Sequence, residues 1–441
     1  MRKFIIICFV FFLSLSSCVF LSMVSKIPYV VKKNSWLKKS TPLSDQYLDT
    51  IKLEITTGMP IGEATIAGET RRFLFDTGAY SIIDAHDVHR EGVRTYPEPY
   101  YGVRDTNDRF YQLLQKRKMY KSEFVNLIDT LAINNTFFGK VGAGTMDFKM
   151  AHYINHCNDK LGIIGYNVMN DGVWSFDYSN EQIIFSNSIN NFDVKNAKVF
   201  DIKFESNDFP VITLPVGDTT LRVGIDTGNN SSAISTNDKV VEKYAIKHLP
   251  VIAENIGNYN LSHYVLKTVM RRTVKLIQLE TDFLETPYQF TAITGMKGSR
   301  EDMSSEFDLV IGHDFIKDYI VTIDYINEKA YFQKAAESKF SSESETVESI
   351  GFSLSNYDRK TLYVSQYLPH LIDSTQVDIG DTVLAVNETP IDSLVHQSNY
   401  CEFIRGEKSL FPDKDTSIIT VKNKKGEVRD FKSYKVTLFD D

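Results

Sequence analysis

The sequence predicts a mainly β protein in which two similar lobes, each closing as a β-barrel, are followed by a small α+β domain. Three observations carry this expectation. Two sequence blocks recur in the same order, the second about 150 residues after the first. Apolar and polar residues alternate with period two through both copies. The aromatic residues are Phe 29 and Tyr 23 against Trp 2, a composition suited to pleated surfaces. At 441 residues the chain exceeds what one core normally organises. Hydrophobic residues at 42% and charged residues at 24% describe a folded globular protein and exclude a disordered or low-complexity chain. The 49 basic and 57 acidic residues leave a net charge of −8, so nothing favours a general nucleic-acid binder. Four cysteines cannot staple a chain of this length, and no CxxC pair offers a zinc site.

The chain opens with Arg2 and Lys3 ahead of an uncharged run from Phe4 to Ser25. A positive start followed by an apolar segment is the layout of a secretory signal. Within it Leu15-Ser16-Ser17-Cys18 resembles the bacterial lipobox, which implies a signal peptide over 1–17, lipid attachment at Cys18 and a membrane tether over 18–48. The alternative is an uncleaved signal-anchor helix, since 22 uncharged residues are long enough to span a bilayer. Both put the remainder in the cell envelope, on the periplasmic or extracellular side. Cys157 and Cys401 lie far apart and read as buried free thiols.

The two lobes are expected over 49–190 and 191–336. Phe73-Leu74-Phe75-Asp76-Thr77-Gly78 returns as Val223-Gly224-Ile225-Asp226-Thr227-Gly228, and each Asp follows a proline, Pro60 or Pro210, by 16 residues. Downstream, the stretch from Ile164 to Phe185 aligns without a gap to Ile311 to Phe332. The identical pairs there include Gly165/Gly312, Asp177/Asp324, Tyr178/Tyr325, Asn180/Asn327 and Glu181/Glu328. Residues 174–178 and 321–325 read as strands, and the segments after them as turns. Val168–Asp171 and Phe315–Asp318 read as helical turns leading into those strands.

An apolar strand that ends in Asp-Thr-Gly puts a carboxyl at a strand end, where glycine permits a tight turn. Two such loops around a pseudo-twofold axis bring two carboxyls together. Two carboxyls in one site cannot both ionise easily, so the pair holds one proton between them. A water between them meets a base on one side, while the protonated partner polarises a carbonyl on the other.

These motifs resemble those of the aspartic proteases, the clan that includes pepsin and the retroviral proteases. The loops are Asp76-Thr77-Gly78-Ala79 and Asp226-Thr227-Gly228-Asn229, with the apolar-apolar-Gly elements at 161–165 and 309–312. The likeness covers about residues 49–336 and sits closest to bacterial retropepsin-like proteins. It implies a bilobal double β-barrel with Asp76 and Asp226 as the catalytic pair. Thr77 and Thr227 would form interlocking hydrogen bonds, Gly78 and Gly228 the turns, and Gly165 and Gly312 the support beneath. It implies a peptide or protein substrate lying extended in the cleft, with no cofactor and no metal. The hydroxyl residue that pepsin-like enzymes favour after Asp-Thr-Gly is replaced by Ala79 and Asn229, which implies a mildly acidic optimum. A flap is expected over the cleft from the hairpin at 100–109, with Tyr101, Gly102 and Val103 as its candidate residues and a polar tip at Asp105–Asp108. An ordinary surface hairpin is the alternative there, and 254–264 is a weaker counterpart in the second copy.

Residues 337–348 read as a solvated linker rich in Ser, Glu and Lys. Over 349–441 the chain is again strand-patterned. Ile379-Gly380-Asp381-Thr382-Val383-Leu384-Ala385-Val386-Asn387 resembles the core of a PDZ domain, which implies capture of a peptide C-terminus by strand addition near 350–354. No HExxH, GxSxG or GxxxxGK[ST] sequence occurs, and His152, His156 and Cys157 read as structural. The whole is expected to be a membrane-tethered aspartic endopeptidase. A catalytically silent peptide-binding scaffold is the competing expectation.

Overall fold

Two hairpins, one per lobe, carry the Asp-Thr-Gly sequences to strand ends, and the rest of each lobe is assembled around them. The computed structural model describes residues 36–55, 59–84, 87–88, 90–96, 125–146, 161–204, 209–216, 219–229, 308–336, 362–367, 377–378, 380–396, 399, 402, 410 and 416–437, together with the strand paths at 234–236, 247–248, 253–254, 273–281, 288–294, 346–348 and 350–354. Outside these residues lie Cys18 and the signal segment, the expected flap with Tyr101, Gly102 and Val103, His152, His156, Cys157 and Cys401, and all of 254–264 except Glu254. The described chain is mainly β and bilobal.

In the first lobe the strands are β1 (Thr41–Pro42), β2 (Leu48–Lys52), β3 (Ile61–Ile66), β4 (Glu69–Asp76), β5 (Ile82–Asp84), β6 (Val93–Tyr96), β7 (Val125–Ile133), β8 (Thr136–Met146) and β9 (Leu161–Gly165). A short helix α1 (Tyr166–Met169) then leads into β10 (Val173–Asp177) and β11 (Gln182–Ser186). β3 and β4 pair from Ile61↔Leu74 to Ile66↔Glu69. Ala67 and Gly68, both at positive φ, make the two-residue turn that matches the twist of a tight hairpin. The sheet runs β1-β8-β5-β9-β4-β3-β7-β6, and pairing of β7 with β8 closes it on itself.

The second lobe repeats the plan. Its strands are β12 (Lys198–Phe204), β13 (Pro210–Val216), β14 (Thr219–Ile225), β15 (Ile234–Thr236), β16 (Lys247–His248), β17 (Ala253–Glu254), β18 (Thr273–Thr281), β19 (Tyr288–Thr294) and β20 (Leu309–Ile311). Helix α2 (His313–Ile316), β21 (Tyr319–Asp324) and β22 (Lys329–Lys334) complete it. In both lobes the third strand slides between two that are neighbours in sequence. β9 lies parallel to β4 and antiparallel to β5, and β20 lies parallel to β14 and antiparallel to β15.

The lobes share one sheet in the order β2-β11-β10-β21-β22-β12. At its centre β10 and β21 pair antiparallel with Ser175 opposite Thr322. These two residues are equivalent positions of the repeat, so the pseudo-twofold axis passes between them. Thr322 Oγ1 donates to Ser175 Oγ across it at 2.8 Å. Trp174, Phe176, Val321 and Ile323 are fully buried beneath this sheet, and the Trp174 ring stacks on Phe185 with centroids 4.5 Å apart. The repeated turns have a common cause. Asp177 accepts from the Asn180 amide (3.1 Å), and Asp324 accepts from the Asn327 amide (2.9 Å). That leaves Glu181 and Glu328 with φ of 53° and 55°. The identical Asp, Asn and Glu pairs of the sequence are these turns.

Both helical turns begin two residues earlier than the sequence spacing suggests, at Tyr166 and His313. Gly165 ends β9 and Gly312 directly follows β20, both in extended conformation, and the next residue turns at once. The C-terminal sheet comprises β23 (Thr346–Glu348), β24 (Ile350–Leu354), β25 (Leu362–Tyr367), β26 (Thr382–Val386), β27 (Thr389–Pro390), β28 (Thr416–Lys422) and β29 (Val428–Thr437), with helix α3 (Ile391–Leu394). Its order is β23-β29-β28-β26-β25-β24, with β27 on β26. Strand β23 lies inside the segment expected as a linker, because Val347 pairs with Val436 at the sheet edge.

Candidate active site

β4 ends at Asp76 and β14 at Ile225, one residue before Asp226, so each loop leaves its lobe at the face turned to the other. What locks them together is a reciprocal set of hydrogen bonds through the two threonines. The Thr77 amide donates to Thr227 Oγ1 at 3.0 Å, and the Thr227 amide donates to Thr77 Oγ1 at 3.1 Å. Each hydroxyl then donates to the opposite strand: Thr77 Oγ1 to the Ile225 carbonyl and Thr227 Oγ1 to the Phe75 carbonyl, both at 2.7 Å. Neither threonine exposes any surface. Four backbone groups at the lobe junction are therefore satisfied by two side chains, as burial there demands.

Directly above this knot the two carboxyls meet. Asp76 and Asp226 share a side-chain hydrogen bond, and both residues are half-buried beside an exposed Gly78. The Gly78 amide donates to Asp76 Oδ1 at 2.7 Å, and the Gly228 amide to Asp226 Oδ1 at 3.1 Å. Both glycines are dictated by space as well as by the turn. A Cβ on Gly78 would lie 2.8 Å from Asp226 Oδ1, and one on Gly228 would overlap the Asp76 carboxyl outright. Burial first, and the facing Asp226 charge second, hold the Asp76 carboxyl well above the ordinary carboxylate range; the Gly78 and Gly228 amides pull partly against them. The pair can thus keep one proton between two oxygens at a pH where an isolated aspartate has lost it.

The apolar-apolar-Gly elements sit beneath the loops. The Tyr166 amide donates to the Ala79 carbonyl (2.9 Å), and the His313 amide to the Asn229 carbonyl (3.0 Å). A side chain at Gly165 would strike the backbone at 79–81, and one at Gly312 would strike Asn229. The residues after Asp-Thr-Gly thus serve through their main-chain carbonyls, which Ala and Asn supply as well as any residue.

Three features escaped the motif reading. Asn167 braces the first loop: its Oδ1 accepts from the Ser81 amide at 2.8 Å, while its Nδ2 donates to the carbonyls of Lys39 and Gly142. Ser81 Oγ in turn accepts from the Gly165 amide at 3.0 Å. Phe209, preceding Pro210, packs its ring against Gly78 and Gly224. Tyr178 and Tyr325 lie buried below the dyad, and burial raises both phenols, with the negative charge of Asp76 adding to it in each and that of Asp226 in Tyr178. Their identity in the two copies was visible in the sequence. Nothing local showed where they point.

No family model matches the chain, and no curated protein does. Among solved structures it is similar to the crystal structure of basic 7S globulin from soybean, with a TM-score of 0.40 and 8% identity over 66% of this chain and 95% of that one.

Proposed function

We propose that the protein is an aspartic-type endopeptidase, tethered to a membrane of the cell envelope through Cys18. The observation that carries this is the hydrogen-bonded carboxyl pair of Asp76 and Asp226, one from each lobe, held by the threonine knot. A raised Asp76 lets one carboxyl be protonated while the other is ionised. A water between them loses a proton to the ionised carboxyl as its oxygen bonds to the peptide carbonyl carbon. The protonated carboxyl gives its proton to the carbonyl oxygen, forming a neutral gem-diol. Collapse breaks the C–N bond while the proton gained from water passes to the leaving nitrogen. The remaining diol proton returns to the carboxylate, so the pair ends with one proton, as it began. Substrate lies extended, and the lobes contribute strand edges to hold it. The C-terminal sheet would add a second peptide contact, through a peptide C-terminus paired near β24.

The test is cleavage of an unbiased peptide mixture by the full chain, by Asp76→Ala and by Asp226→Ala. Loss of turnover in both variants is the expected result. Equal turnover in all three overturns the assignment, and pepstatin-insensitive peptide binding without cleavage would make the protein a scaffold instead.

A further inference from the structure

The segment that enters the first lobe carries an unusual charge pattern. No acidic residue precedes Asp45, while Lys26, Lys32, Lys33, Lys38 and Lys39 fall between the apolar run and β1. Where the described chain begins, it is pinned to the lobe. The Lys39 amide donates to the Trp36 carbonyl (2.9 Å), the Gly142 amide donates to the Lys39 carbonyl (2.8 Å), and a side chain at Gly142 would collide with Trp36. Lys38, Lys39 and Lys140 are exposed.

Beside that entry lies a groove between β2 and the turn from β7 to β8, lined among others by Leu43, Leu48, Asp49, Asn135 and Phe137. Leu43 is 60% exposed, Leu48 57% and Phe137 47%. They are three of the eight large apolar side chains most exposed among the described residues, gathered at one place. The acid in the groove is already engaged. Asp49 accepts from the amides of Thr50 and Asn135, both at 2.9 Å, and from Thr136 Oγ1 at 3.3 Å. Exposed apolar side chains that follow a lysine-rich stretch of chain are the composition of a surface that enters a headgroup layer.

We propose that this face of the first lobe docks on an anionic lipid bilayer, inserting Leu43, Leu48 and Phe137 while the lysines engage lipid phosphates. The inference rests on the membrane-tethered reading given above. From Cys18 to Trp36 there are 18 residues; a flexible chain of that length would span roughly 25 Å, about half the diameter of a two-lobed unit of this size. The pinned entry point is therefore held close to the bilayer, and the apolar cluster is beside it. The tether makes the encounter, and the patch fixes the orientation.

The test uses the full chain on vesicles whose acyl chains carry bromine, which quenches tryptophan on contact. The vesicles are phosphatidylcholine alone or mixed with phosphatidylglycerol. In a Trp36→Phe background, Phe137→Trp adds one reporter at the patch and Leu43→Trp a second, should the first fail to fold. Val199→Trp is the control, since Val199 is 49% exposed on β12, at the opposite edge of the shared sheet from β2. The expected result is loss of the patch reporters' emission on phosphatidylglycerol vesicles, weaker loss after Lys38→Glu with Lys39→Glu, and little loss for the control. A chain that floats with the vesicles but shows equal quenching at patch and control overturns the docking and leaves the tether standing. A chain that fails to float removes the tether, and the docking with it. Patch reporters shielded from both bromine and aqueous quencher, in a dimeric chain, would show a second copy covering the face and overturn the lipid assignment.

Discussion

Replacing Thr77 by valine keeps the shape of the side chain and removes the hydroxyl from the knot between the lobes. Two buried backbone groups then lose their partner: the Ile225 carbonyl, which accepts from Thr77 Oγ1 at 2.7 Å, and the Thr227 amide, which donates to it at 3.1 Å. Leaving a buried polar group unsatisfied costs about 1–3 kcal/mol each, so Thr77→Val is expected to cost about 2–6 kcal/mol. Thr77→Ser keeps the hydroxyl and loses one methyl group, for about 1 kcal/mol. The measurement is denaturant unfolding followed by tryptophan fluorescence. Trp174 is fully buried in the shared sheet, so its emission reports the junction itself. Valine should unfold well before serine. A second effect follows, because a looser knot lets the carboxyls separate. Asp76 then loses part of the Asp226 repulsion that raises it, and the alkaline limb of the cleavage profile moves to lower pH. If valine and serine unfold within about 0.5 kcal/mol of each other, the hydroxyl bonds do not hold the lobes and the reasoning fails.

Three further outcomes are expected. Because Asp76 is raised in the folded state, its contribution to stability is present at acid pH and is lost as pH rises through the raised value. Asp226→Asn should therefore melt above wild type at neutral pH, with the gap closing below the ordinary carboxylate range; a constant gap would refute the coupling. Gly228→Ala drives a methyl into the Asp76 carboxyl and should lower kcat at least about 100-fold, whereas Gly144→Ala, whose nearest neighbour would be 3.8 Å away, should cut peptides normally. Asn167→Ala orphans the Ser81 amide and takes one donor each from the carbonyls of Lys39 and Gly142, for about 1–3 kcal/mol in unfolding free energy. A loss below about 1 kcal/mol would mean water replaces that brace.

The parts of the molecule that were legible in sequence are those whose chemistry is local. An Asp-Thr-Gly loop, the Asp177 and Asp324 turns and the alternation of β10 and β21 are each written within a few residues, and duplication doubles the signal. Chain reversals of that kind need no distant partner. The brace from Asn167 to Lys39 spans 128 residues, and the Thr77 to Ile225 bond spans 148, so nothing near either residue announces the contact. Strands β2 and β12 are similarly hidden. Their role as opposite edges of one sheet depends on which strands fold beside them, and Leu48 or Val199 is apolar yet exposed. The helical turns begin two residues before the positions the sequence suggests, because the chain turns immediately after the extended Gly165 and Gly312, a backbone choice with no signature in the residues that follow.

The Ser175–Thr322 pair on the pseudo-twofold axis has a kinetic corollary. When both halves of such a site belong to one polypeptide, their meeting is intramolecular, and its effective concentration does not fall with dilution. Specific activity should then be flat from micromolar to picomolar protein, unlike a site built from two exchanging subunits. Covalent joining also frees the halves to differ. One side of the axis can carry serine and the other threonine, and Asn167 can brace the first loop while His313 stands under the second. If the site takes a peptide, as proposed, that asymmetry would let it tell the two ends of the peptide apart.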